Sequence, residues 1–197
     1  MYPDPNGLDR LNSFALVSYI PDPLAGFLDR LRQELVPNCF LRAHVTILPP
    51  RPLCSTPQKA WQSIRSLAPL FLPFDLSITA VNVFPISDVI YLDIGAGRKN
   101  LEEMHAAMNR DGLRYVEPFS YSPHITLAQN LKPDEMDELI HVARRRWSEI
   151  SQPAAFRVEK MVFVQNTRRK DWLDLGECHL GHEEWRLMGE LSDLMVG

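Results

Sequence analysis

Two tetrapeptides of one pattern, His44-Val45-Thr46-Ile47 and His124-Ile125-Thr126-Leu127, constrain this 197-residue chain more than any other feature. On a strand, successive side chains point to opposite faces, so His and Thr share one face and the apolar pair anchors the other. For a chain with six His and 45% hydrophobic residues, chance supplies about 0.03 such tetrapeptides. Two copies therefore point to a duplicated element. Further echoes recur at a similar interval. His44 and His124 lie 80 positions apart, Phe74 and Phe156 lie 82 apart, and Tyr91-Leu-Asp-Ile-Gly95 precedes Trp172-Leu-Asp-Leu-Gly176 by 81. Such an interval predicts a duplicated lobe. Equivalent strands of two lobes gather about a pseudo-twofold axis, which would set His44 and His124 face to face across a cleft of the kind that binds ligands.

Hydrophobic periodicity predicts an α+β chain around these motifs. Residues 13–20 read as a buried strand, and Pro21-Asp22-Pro23 stops it and opens a helix to about residue 36, with Leu24, Phe27, Leu28, Leu31 and Leu35 at helical spacing. A β-branched strand over 44–48 is expected to close at Pro49-Pro50, followed by a helix over 57–70 and a hairpin of strands 74–84 and 89–94. The second half repeats the order: a helix over about 99–109, a strand over 124–128, a helix over 133–147, and a hairpin of 156–164 with 172–175.

Charge and cysteine content exclude several functions. A net charge of -4 and a pI of about 5.9 do not suit a protein built to coat duplex DNA, which carries a basic face and a pI above ~9. Cys39, Cys54 and Cys178 are odd in number and lack CxxC spacing, so they suggest neither a disulfide framework nor a zinc ribbon, and a reducing cytoplasm fits best. The first residues hold no basic region leading into an apolar run, and no stretch approaches the ~20 apolar residues of a membrane span. The expectation is a cytoplasmic protein with no membrane partner.

Two imidazoles and two hydroxyls across a cleft suit displacement at phosphorus. Histidine titrates near ~6.5, so one copy can be neutral while the other is protonated, and the pair supplies base and acid together. One would take a proton from water while the other protonates the departing oxygen. The threonine hydroxyls would donate to the non-bridging phosphate oxygens where charge accumulates. No metal or other cofactor is required by this scheme. Competing schemes fare worse: a two-His metal hydrolase lacks carboxylates at ligand spacing on the motif strands, and acyl transfer lacks a GxSxG elbow or a suitable Cys/His pair.

With these motifs and the aromatic-x-Pro-His context of Tyr121-Ser122-Pro123-His124, the chain resembles the 2H phosphoesterase superfamily, the 2′-5′ RNA ligase-like and cyclic phosphodiesterase-like proteins. The resemblance covers nearly the whole chain. It implies a bilobal α+β fold in which two antiparallel-rich sheets, flanked by helices, surround a central cleft with pseudo-twofold symmetry. It also implies catalytic roles for His44, Thr46, His124 and Thr126 in metal-independent cleavage of a cyclic phosphate or phosphodiester of RNA ends or nucleotides, with His124 as base and His44 as acid for ring opening. One bilobal domain over 1–197 is expected, acting as a monomer, with repeat halves 13–95 and 96–180 and a C-terminal segment 181–197 packed on the fold. The alternative is a non-catalytic nucleotide- or RNA-binding module that keeps the cleft.

Members that open RNA 2′,3′-cyclic phosphates often carry an arginine shortly after the second motif, where this chain has Ala128-Gln129-Asn130. Gln129, in that stretch, is a candidate substrate-binding residue, and Arg51, just past the first motif, is the candidate replacement cation. Phe40 and Tyr121 flank the motifs as candidate stacking residues. Arg168 and Arg169, in the turn of the last hairpin, are candidates to reach an RNA backbone. Arg144-Arg145-Arg146 reads as a helix C-terminus that welcomes cations, and Trp61, Trp147 and Trp185 read as packing residues. Cys178, His179 and His182 lack a fourth ligand and are not assigned to a metal.

Overall fold

The fold is described from a computed structural model, over residues 10–84, 86–169, 171–182 and 185–188. It places nine strands in two antiparallel sheets. The strands are β1 (Arg10–Tyr19), β2 (His44–Arg51), β3 (Phe74–Phe84), β4 (Val89–Ile94), β5 (His124–Ala128), β6 (Ala155–Val158), β7 (Lys160–Thr167), β8 (Trp172–His179) and β9 (Trp185–Leu187). One sheet runs in the order β2-β1-β7-β8-β9 and the other β5-β4-β3-β6. Each motif strand therefore forms an edge, and the two edges pack against one another. Four helices, α1 (Leu24–Leu35), α2 (Pro57–Leu67), α3 (Arg98–Met108) and α4 (Met136–Ser148), cover the sheets.

The helices follow their predicted spacing. Leu24, Leu28, Leu31 and Leu35 make the buried stripe of α1, each at most 4% exposed, and burying one such leucine is worth ~1.5–3 kcal/mol over leaving it in water. The Thr56 hydroxyl accepts from the Lys59 amide to cap α2, and Pro57 fills the first helical position. Trp61 of α2 is fully buried and stacks with Phe163. A side chain at position 176 would collide with that indole, since a Cβ there would sit 2.8 Å from it, which explains Gly176 at the end of the Trp-Leu-Asp-Leu-Gly echo. Trp147 packs on Phe27 and donates its indole N–H to the Thr79 carbonyl at 2.7 Å. The side chain of Trp185 and most of segment 181–197 lie outside the described residues.

Three expectations are corrected. The strand after His44 does not close at Pro49-Pro50 but runs on to Arg51, because an edge strand tolerates prolines whose missing N–H faces away from the ladder. The segment 156–164 is not one strand. It breaks at Glu159, so that β6 pairs with β3 in one sheet while β7 passes into the middle of the other. The halves 13–95 and 96–180 are not the lobes, since each sheet draws strands from both. Phe74 and Phe156 accordingly do not mirror each other across an axis. They lie on neighbouring strands of one sheet, where Phe74 pairs with Val158 and Phe156 with Leu76.

Candidate active site

On both motif strands the alternation is as the sequence predicts. Val45, Ile47, Ile125 and Leu127 are buried, while His44, Thr46, His124 and Thr126 are half-buried. All four polar residues line one cavity of about 550 Å³ between the sheets. The apolar pairs thus lock each edge strand to the core and aim its polar pair at the other.

Each imidazole is oriented by its own backbone. His44 Nδ1 lies 2.7 Å from the Arg42 carbonyl, and His124 Nδ1 lies 2.7 Å from the Ser122 carbonyl. A carbonyl only accepts, so each Nδ1 carries the proton and each neutral ring keeps its lone pair on Nε2. The same two-residue offset in both copies leaves two equivalent nitrogens for chemistry. No described residue takes up the Thr46 or Thr126 hydroxyl.

Aromatic rings brace both histidines. Trp172 lies 4.5 Å from the His44 ring, and Tyr91, itself stacked on Phe84, lies 5.4 Å from His124. Tyr91 and Trp172 are the equivalent positions of the Tyr-Leu-Asp-Ile-Gly and Trp-Leu-Asp-Leu-Gly echoes. That repeat therefore reaches the site, although its strands occupy different places in their sheets. Burial pushes the His44 imidazole down to about 4, opposed by the Arg42 carbonyl and reinforced by the nearby charges of Arg32 and His124. His124 is also lowered by burial, a shift that the Ser122 carbonyl and the Asp93 carboxylate oppose and the Arg98 guanidinium reinforces.

A second layer fixes the wall of the cavity. Glu117 accepts from Arg51 and lies 2.8 Å from His105 Nε2. His105 stacks flat on Tyr121, centroids 4.0 Å apart and planes within 2°. The Tyr121 hydroxyl then donates to the Thr46 carbonyl at 2.7 Å. Sequence reasoning missed Glu117 and His105, whose isolated positions carry no pattern.

The flanking candidates divide. Tyr121 and Gln129 line the cavity, but one face of Tyr121 is already taken by His105. Arg51 does not serve as a substrate cation. Its side chain is 1% exposed and is consumed by Glu117, the Asn109 side chain and the carbonyls of Pro49 and Leu113. Phe40 is 70% exposed and away from the cavity lining, so it is not a stacking wall. Arg168 and Arg169 sit in the exposed turn after β7 and likewise do not line the cavity. Arg146, in the last turn of α4, forms surface ion pairs with Glu34 and Glu149. Cys178 is buried in the core, its thiol pushed up to about 12 by burial. No group of three or more metal-ligating side chains occurs among the described residues.

Known proteins share parts of this sequence and its fold. The "Putative phosphoesterase BH1439" of Halalkalibacterium halodurans is 23% identical over 150 residues, spanning 72% of this chain and 85% of that protein. The crystal structure of Escherichia coli LigT complexed with 3′-AMP superposes with a TM-score of 0.57 at 14% identity, covering 89% of this chain and 99% of that one. Kluyveromyces marxianus Usb1 does so with a TM-score of 0.55 at 13% identity, covering 77% and 93%. The model of the 2′-5′ RNA ligase superfamily matches residues 20–170, a span that contains both His-x-Thr motifs. The chain therefore belongs to the 2′-5′ RNA ligase superfamily, the 2H phosphoesterases.

Proposed function

We propose that this 2H phosphoesterase hydrolyses a cyclic phosphate or phosphodiester of a nucleotide or RNA end by paired-histidine acid–base catalysis, as a monomer and without a metal or other cofactor. The observation that carries the proposal is the matched pair of imidazoles, each held by a carbonyl two residues upstream and each presenting Nε2 to a cavity that also receives Thr46 and Thr126. A neutral Nε2 accepts a proton from the attacking water. The opposite Nε2–H gives a proton to the departing ribose oxygen, so the ring-opened product leaves as a phosphomonoester. The threonine hydroxyls donate to the non-bridging oxygens as charge builds on phosphorus. A cavity of about 550 Å³ suits a nucleotide, as ligand pockets run ~300–1,000 Å³. LigT is described in complexes with 3′-AMP, NADP+ and ATP, which supports a nucleotide-sized occupant here.

The resemblance puts the base on His124 and the acid on His44. The electrostatics lean towards the reverse order, since burial reinforced by Arg32 holds His44 at about 4, whereas at His124 the Asp93 carboxylate, although paired with Arg98, opposes the lowering by burial. An aryl phosphodiester whose leaving oxygen needs no proton separates the two, because it rescues the acid variant and not the base variant. The function itself is tested by assaying the purified protein, in EDTA, against 2′,3′-cyclic nucleotides, cyclic-phosphate-ended oligoribonucleotides and ADP-ribose cyclic phosphate, with product isomers identified. Turnover of at least one in EDTA is expected. Turnover that appears only on adding a divalent metal refutes the cofactor-free scheme. Saturable binding without turnover of any of them supports the binding-module alternative.

A further inference from the structure

A cation sits where the α1 stripe calls for another leucine. Arg32 follows Leu31, lies four residues after Leu28 and three before Leu35, and is only 4% exposed. It also lines the cavity, and it is the single lysine or arginine among the described lining residues. One of its nitrogens, Nη1, donates to the Leu41 carbonyl at 2.6 Å. Its Nε is buried without an acceptor, and no described carboxylate lies within 4.0 Å of the guanidinium. Other arginines of this region have carboxylate partners: Arg51 has Glu117, Arg98 has Asp93 and Arg42 has Asp174.

A buried guanidinium with one carbonyl partner is expensive. Burial strips its hydration, and a single dipole does not replace a counter-ion. Tying the 36–43 loop to α1 through Leu41 would need one neutral donor, whereas a guanidinium carries five N–H groups in a fork that matches phosphate. We propose that Arg32 is an anion-binding residue whose missing counter-ion is a phosphate group of the substrate, held on the His44 side of the cavity. The proposal rests on the reading of this cavity as a phosphoester site and names the cation that site uses. Two sources share the chemistry: the reacting phosphate, or a second phosphate elsewhere on the same nucleotide. Arg32 bears on the titration of His44, which agrees with a place on that flank.

The test is titration of inorganic phosphate into the wild-type protein, Arg32→Gln and Arg32→Lys by calorimetry. Beside it run the kinetics of a nucleoside 2′,3′-cyclic phosphate and of the same compound bearing a 5′-phosphate. Phosphate Kd should rise about 10- to 100-fold in Arg32→Gln, the worth of a hydrogen bond to a charged group, and less in Arg32→Lys. An equal rise in KM for both substrates assigns the reacting phosphate. A rise confined to the 5′-phosphorylated substrate assigns the second. Folded variants with phosphate Kd and both KM values within twofold of wild type overturn the proposal and leave Arg32 as a loop tether. Should the variants fail to fold, ¹⁵N spectra of the wild type decide: a saturable shift of the Arg32 Nε–H resonance on adding phosphate supports it, and none overturns it. Arg32-dependent phosphate binding in a wild-type protein that turns over no phosphodiester would sink the catalytic reading and leave this one standing.

Discussion

Replacing Glu117 by Gln should destabilise the protein without touching a reacting atom. The Arg51 side chain is 1% exposed and Glu117 12%, so the substitution strands a charge that water cannot reach. Removing one partner of a buried pair costs ~3–5 kcal/mol. The lower end applies here, because Arg51 keeps the Pro49 carbonyl and Asn109 Oδ1, each at 2.9 Å, and the Leu113 carbonyl at 3.3 Å. For a domain of 150–250 residues each kcal/mol moves Tm by ~2–4 °C, so a loss of about 3 kcal/mol lowers it by roughly 6–12 °C. Differential scanning calorimetry of Glu117→Gln, Arg51→Met and the combined variant reads this directly. Removing both charges should cost clearly less than the summed singles, since no unpaired ion remains. A Glu117→Gln protein within about 1 kcal/mol of wild type, or strictly additive variants, would refute the buried-pair account and reopen Arg51 to a role in the cavity.

Two further outcomes follow from the site. Because both imidazoles are pushed below the ordinary 6.5, His44 to about 4, the rising limb (base losing its proton) and the falling limb (acid losing its proton) of kcat/KM both move to lower pH. The maximum should fall between about pH 4 and 6.5, and bound phosphate, by favouring imidazolium, should carry the kcat maximum to higher pH. A kcat/KM optimum at or above about pH 8 contradicts this. Thr46→Ala and Thr126→Ala should each lower kcat about 10- to 10³-fold with little change in melting temperature, as for one donor to a developing oxyanion. A change in KM alone would assign the hydroxyls to ground-state binding.

The parts of this molecule legible in its sequence are those written as local periodicity. The period-two alternation of His44–Ile47 and His124–Leu127 foretold both the strands and the face each residue takes, because one slip would bury the imidazoles. The leucine stripe of α1 foretold its buried face. What stayed hidden depends on long-range pairing. Nothing local to Glu159 shows that the chain changes sheets there, and the echo of Phe74 in Phe156 misleads because neighbouring β strands share composition as readily as mirrored ones do. Arg51 looked available because its neighbours are polar and Pro-rich. Its burial is decided by Glu117 and Asn109, which approach from 66 and 58 residues away. Arg32 did carry a signal, a cation in a core-facing register position, which reads as a flaw in the stripe until the cavity behind it is known.

The account turns on the two histidines acting in one step, and single-turnover hydrolysis of a cyclic-phosphate-ended oligoribonucleotide by wild type, His44→Ala, His124→Ala and the double variant tests it most directly. Each single substitution should slow the reaction by roughly 10²–10⁴, and the double by far less than the product of the two, since losing either half of a concerted pair already forfeits most of its work. Near-normal rates in both single variants, or a double variant whose loss equals the product of the singles, would contradict paired acid–base catalysis.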